Sequence, residues 1–105
     1  MGQFDVHRNS GPQQAVIPYV VVVQSSRFDS ARRRVVIPLV LRSAVPSPDP
    51  SLNPGFDVEG RKVVLNPLQI VSIAVDRLGK RVGSLKNDGD RVIAAIDLLI
   101  TRAWD

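Results

Sequence analysis

The sequence predicts an α+β fold, an antiparallel body of short strands followed by one carboxy-terminal helix. Three observations predict it. Apolar residues before Arg77 fall in short β-branched runs or alternate with polar ones. Four prolines between Ser43 and Gly55 leave too many fixed φ angles and missing donors for regular structure there. From Ser84 onward the apolar spacing changes to a helical period. At 105 residues the chain, 1–105, reads as a single domain with one core. Folding at this length removes roughly 65% of the unfolded chain's surface from water, so a dimer interface would add materially to stability.

Gln3-Phe4-Asp5-Val6-His7-Arg8 alternates polar and apolar residues and reads as a half-buried strand, followed by the turn chemistry of Asn9-Ser10-Gly11-Pro12. Tyr19 to Val23 is an unbroken run of β-formers, which marks a strand buried on both faces or lying at a dimer interface. Gln24-Ser25-Ser26 ends it. A third strand runs from Val35 to Leu41, and because Pro38 cannot donate to a ladder, that strand is expected at an edge or with a bulge. Phe56-Asp57-Val58 and Lys62-Val63-Val64-Leu65 flank Glu59-Gly60-Arg61, a hairpin in which Gly60 takes the positive φ. Ile70 to Val75 reads as the sixth and last strand, closed by the turn Arg77-Leu78-Gly79-Lys80. Beyond it, Val92, Ile96, Leu99, Ile100 and Ala103 make one apolar helical stripe, with Arg91, Asp97 and Arg102 off it. Gly89 disfavours a helix interior by ~1 kcal/mol relative to alanine, so a firm start is expected at Asp88 or Asp90, where a carboxylate suits the amino end.

Composition narrows the function. With no cysteine, disulfides, thiolate zinc sites and a cysteine nucleophile are excluded. No apolar run approaches the ~20 residues that span a bilayer, and the opening MGQFDVHRNS lacks a signal-peptide pattern, so no membrane association and a cytoplasmic location are expected. The formal charge is +4, with eleven arginines among fourteen basic residues. The densest basic run, Arg32-Arg33-Arg34, reads as solvated arginines at a loop or strand end, with nucleic acid or an acidic partner as the alternative.

Catalytic chemistry is hard to assemble. His7 is the only histidine, so a histidine-rich metal site is absent, and on an alternating strand it is expected to be solvated. Glu59 is the only glutamate and sits at a turn tip, the aspartates are scattered, and no glycine cluster forms a phosphate loop. No catalytic residue, metal ligand or cofactor is assigned. A binding protein is expected rather than an enzyme.

Four separated motifs, in order, carry a resemblance. Val23-Gln24-Ser25, Asp29, Arg33-Arg34 and Val36-Ile37-Pro38-Leu39 resemble the signature of the CcdB family without a gap. So do the opening Gln3-Phe4-x-Val6, the segment Leu52-Asn53-Pro54-x-Phe56, and the closing Ala95-Ile96-Asp97-x-Leu99. The resemblance implies a fold related to SH3-like barrels: a twisted antiparallel sheet, a small hairpin sheet and a carboxy-terminal helix. It also implies a homodimeric toxin of a type II toxin–antitoxin pair that binds the DNA gyrase A subunit, traps the complex with cleaved DNA, and is neutralised by a CcdA-like antitoxin. No direct sequence-specific nucleic-acid binding is implied.

By the same resemblance, gyrase is met by the end of the helix, here Asp97, Ile100, Thr101, Arg102, Ala103 and Trp104. The antitoxin is met by the loop Ser26, Arg27 and Phe28. The tail departs from the family pattern: Arg102 stands where a glycine is usual and Ala103 where a large apolar residue is usual, while Trp104 falls one turn after Ile100. Two other readings stay open, a non-toxic homologue that only binds antitoxin, and an endoribonuclease of the MazF kind. The latter would need a base beside a cation, for which His7-Arg8-Asn9-Ser10 is the one place the sequence offers.

Overall fold

The computed structural model describes residues 2–101 of the chain. Seven strands form one curled antiparallel sheet: β1 (Asp5–Arg8), β2 (Tyr19–Val22), β3 (Arg33–Leu41), β4 (Gly55–Val58), β5 (Arg61–Leu65), β6 (Val71–Ala74) and β7 (Arg81–Ser84). The spatial order is β4-β5-β3-β2-β1-β7, with β6 also on β3. The helix α1 (Gly89–Ile100) follows. This is the expected α+β arrangement, a half-barrel with a helix after it. The β4–β5 hairpin is continuous with the larger sheet through pairs such as Val40↔Val64.

The strand β3 is central, not at an edge, which corrects the expectation drawn from Pro38. It pairs β2 along one side, including Val20↔Pro38, and on the other side meets β6 through Arg33–Val36 and β5 through Leu39–Leu41. Successive residues of a strand bond to opposite neighbours. The carbonyl of Pro38 accepts from the amide of Asn66 at 3.1 Å, so its missing N–H faces the chain that joins β5 to β6. A gap between two partners absorbs a lost donor as well as an edge does.

The strand β2 is largely buried on both faces by its own chain. Tyr19, Val21 and Val23 point with Val6, Ile37, Leu39 and Leu65 into the core that α1 covers through Val92 and Ala95. On the other face Val22 is fully buried opposite buried Val36, and Val20 is half-buried opposite buried Pro38. Interiors this well packed respond to the loss of single methyl groups.

A seventh strand, β7, lies where the sequence reading ended the sheet. It pairs β1 with a register shift at Val6/His7, so β1 is an interior strand. His7 is consequently 3% exposed, not solvated, with Nδ1 2.9 Å from the carbonyl oxygen of Gly79 and Nε2 without a partner.

The hairpin turn is the two-residue loop Glu59-Gly60. Both residues take positive φ, 51° and 76°, the geometry whose twist suits a right-twisted hairpin, so Glu59 shares the role assigned to Gly60 alone.

The helix starts at Gly89 after Asp88, within the expected bounds, although the Asp88 side chain does not cap it and lies instead 3.5 Å from Arg91. Glycine is required at 89 by packing: a Cβ there would meet the Phe4 ring at 2.7 Å. Phe4 itself holds φ at 71°, with its amide on Val22 and its carbonyl on Leu85. The apolar stripe is narrower than expected. Val92 and Ala95 are buried and Ile96 and Leu99 half-buried, but Ile100 is 70% exposed. Ala103 lies outside the described residues. Among the described residues no helix is long and apolar enough to cross a membrane.

Candidate functional site

Ser26, Arg27 and Phe28 form a single 3₁₀ turn at the tip of the link between β2 and β3. The backbone of this link is bonded almost throughout. Ser25 Oγ accepts from the Arg27 amide at 3.2 Å, and the amides of Phe28, Asp29 and Ala31 reach Ser25, Ser26 and Phe28 carbonyls at 3.0–3.1 Å. Ser26 Oγ also accepts from the Gln3 amide at 3.1 Å, tying the turn to the amino-terminal segment. The side chains are turned outward. Phe28 is 55% exposed, with the Arg27 guanidinium 5.7 Å from its ring centroid, a pairing that keeps an aromatic face presentable in water.

The basic run beside this turn divides into three roles. Arg32 is exposed, while the exposed Arg33 is held by Ser72 through its hydroxyl at 2.7 Å and its carbonyl at 2.6 Å. Arg34 is 3% exposed, which corrects the reading of three solvated arginines. Its guanidinium donates to carbonyls of the link itself, which therefore buries it. Arg34 Nε and Asp29 Oδ1 are buried there without partners.

At the far end of α1, the amide of Thr101 closes the last turn on the carbonyl of Asp97 at 2.7 Å, and Thr101 then turns extended with ψ 134°. Asp97, Ile100 and Thr101 are exposed. Arg102, Ala103 and Trp104 lie outside the described residues. The two sequence-predicted surfaces are not brought together. Ser26 shares an open cleft with Phe4, Lys86 and Asn87, at the amino end of α1, whereas Thr101 lies about 18 Å further along the helix axis at 1.5 Å per residue.

The His7-Arg8 pair cannot supply a base beside a cation. Adjacent strand residues point to opposite faces, and His7 is buried with its ring against Gly79 while Arg8 is exposed.

A cluster that sequence reasoning missed lies at the β1–β2 end of the sheet. Glu59 Oε1 accepts from the Tyr19 hydroxyl at 2.7 Å and Oε2 from Arg8 Nη2 at 2.9 Å, beside Arg61, around an open cleft of about 480 Å³. The hydrogen bond from Tyr19 holds the Glu59 carboxyl below its ordinary range, while burial above all pushes the Tyr19 phenol up. Both carboxylate oxygens are occupied, so the cluster acts as a clamp between hairpin and sheet. Its partners are separated by 40 and 51 residues, and the only local sign was a lone glutamate in a two-residue turn. Among the described residues no three His, Asp or Glu side chains are grouped as metal ligands.

The model of the family described as CcdB protein matches residues 3–101, nearly the whole chain. No curated protein matches it.

Proposed function

This chain belongs to the CcdB family, gyrase-poisoning toxins of type II toxin–antitoxin systems that are not enzymes, and on that premise we propose how its surfaces divide the work. The end of α1, through Asp97, Ile100 and Thr101 and on through Arg102, Ala103 and Trp104, engages the gyrase A subunit. The turn Ser26, Arg27 and Phe28 receives a CcdA-type antitoxin. The match over residues 3–101 carries this reading. Ile100 and Phe28, both large, apolar and exposed, support it. Trapping requires that the toxin prefer gyrase with its DNA cleaved, because a ligand shifts an equilibrium only by its differential affinity for the two states. The site of action is the cytoplasm, where gyrase works.

The protein acts as a homodimer in this reading. Leu68 is 69% exposed, Ile70 38% and Val71 48%, while α1 adds Ile93 on the Ile100 flank. Val71 lines an open cleft with Val20, Pro38 and Ile73, and in this reading a second copy covers that apolar face. Sedimentation should give about twice the 11.5 kDa chain mass, and a monomer at micromolar concentration would contradict it. The function itself is tested by growth after induced expression. Growth should stop, and should recover in a strain whose gyrase A subunit is substituted at its toxin contact. Arrest in both strains would remove gyrase as the target, and arrest in neither would leave an antitoxin-binding homologue.

A further inference from the structure

Arg34 is a buried cation that neither contact surface uses. It stands at the start of β3 and sends its guanidinium back into the preceding link. Nη1 donates to the carbonyls of Ala31 at 2.5 Å and Arg33 at 2.9 Å, and Nη2 donates to the carbonyl of Asp29. It forms no ion pair with a carboxylate among the described residues. Just past β2, Gln24 completes the frame. Its Nε2 donates to the carbonyls of Phe28 and Arg33 at 3.1 Å each, and its Oε1 accepts from the amide of Val35 at 3.0 Å. Two side chains at the ends of the link thus hold the carbonyls of Phe28, Asp29, Ala31 and Arg33. The exposed Phe28 ring rides on a backbone fixed from beneath.

We propose that Arg34 is a positioning residue for antitoxin capture: its guanidinium fork, with Gln24, holds the 25–33 link in its binding-competent shape. Phe28 then meets the antitoxin segment already in place. This rests on the reading of Ser26, Arg27 and Phe28 as the antitoxin surface. An arginine is required because a planar fork presents several fixed donors to several carbonyls at once, which a lysine ammonium on a flexible stem cannot do. When only a fraction of molecules is competent, apparent affinity falls by that fraction, and the loss appears in the association rate.

The test uses the full-length protein and a synthetic peptide of the disordered antitoxin tail, with rates from surface binding and thermal midpoints alongside. Arg34→Lys is expected to bind about tenfold more weakly or worse, with slower association and near-normal dissociation. The amides of Phe28, Asp29 and Ala31 should exchange faster while those of α1 do not. Gln24→Glu, which keeps the acceptor for Val35 but turns an oxygen toward the Phe28 and Arg33 carbonyls, should move in the same direction. Val64→Ala, a buried change on β5, should lower the thermal midpoint and leave association unchanged, which separates positioning from general stability. Folded Arg34→Lys that binds within twofold of the parent overturns the proposal. If Arg34→Lys does not fold, Gln24→Glu decides by the same criterion. Phe28→Ala with unchanged affinity removes the loop as the antitoxin surface and the proposal with it, whereas weak Phe28→Ala beside normal Arg34→Lys rejects Arg34 alone.

Discussion

The link that carries Phe28 and the last turn of α1 are both exposed, yet they are built in opposite ways. In the link, side chains at its two ends hold the carbonyls from beneath, and exposed residues stand on a fixed frame. At the helix end, the last backbone bond among the described residues runs from Thr101 to Asp97, and the exposed Ile100 faces outward. On the proposed assignment the two surfaces would keep their selectivity in different places. The link would select by shape, set by residues a partner need never touch, and the helix end by the side chains it displays, so tail substitutions should change partner choice without changing the fold.

The largest expected effect breaks the comparison at the helix end. Removing the chain from Thr101 onward should abolish inhibition of gyrase supercoiling while the thermal midpoint and antitoxin affinity stay near those of the parent. Val92 and Ala95, which anchor α1, are retained. Loss of antitoxin binding in this variant would show that the two surfaces are one.

Next in size is the joint between the two regions. Gly89→Val would drive a side chain into the Phe4 ring, and overpacking of this kind destabilises by about 1–3 kcal/mol in urea unfolding. A change below ~0.5 kcal/mol would mean that Phe4 moves aside freely.

How much of this was legible in the sequence follows from how local each cause is. Periodicity located α1 and its buried Val92, and the run Tyr19 to Val23 announced a strand covered on both faces. Both signals sit within one element. The missed strand β7, Arg81 to Ser84, is short and holds a glycine, so no period marks it. That omission placed His7 on an open strand when a neighbour covers it. Pro38 misled for a related reason, since no local pattern tells that β3 exchanges β6 for β5 beside that residue. In the candidate sites, motif matches picked out Phe28 and the helix end. The buried state of Arg34 and the Tyr19–Glu59–Arg8 clamp depend on contacts that the chain makes only once folded.

A smaller effect sharpens the contrast on the loop side. Phe28→Ala should weaken antitoxin binding by more than about 1 kcal/mol in calorimetry, with the thermal midpoint little changed because the ring is largely exposed. Equal affinity would move the antitoxin surface elsewhere.

The smallest effect is a matter of pH. The folded-state pKa of Glu59 is lowered, first by the Tyr19 hydroxyl, so its carboxylate contributes stability above the ordinary value of 4.5. That contribution is lost as pH falls below this value toward the folded-state pKa. Glu59→Gln should therefore narrow the stability difference between pH 7 and acid, measured by thermal midpoints across that range. An unchanged acid dependence would mean that the clamp contributes nothing to folding.

The central claim is that this protein stops gyrase by binding it, and the most direct measurement incubates purified protein with purified gyrase and plasmid DNA. The account predicts that supercoiling falls, that cleaved DNA accumulates on denaturation, and that added antitoxin restores supercoiling. Unimpaired supercoiling and no cleaved DNA, at toxin in molar excess over gyrase, would contradict it.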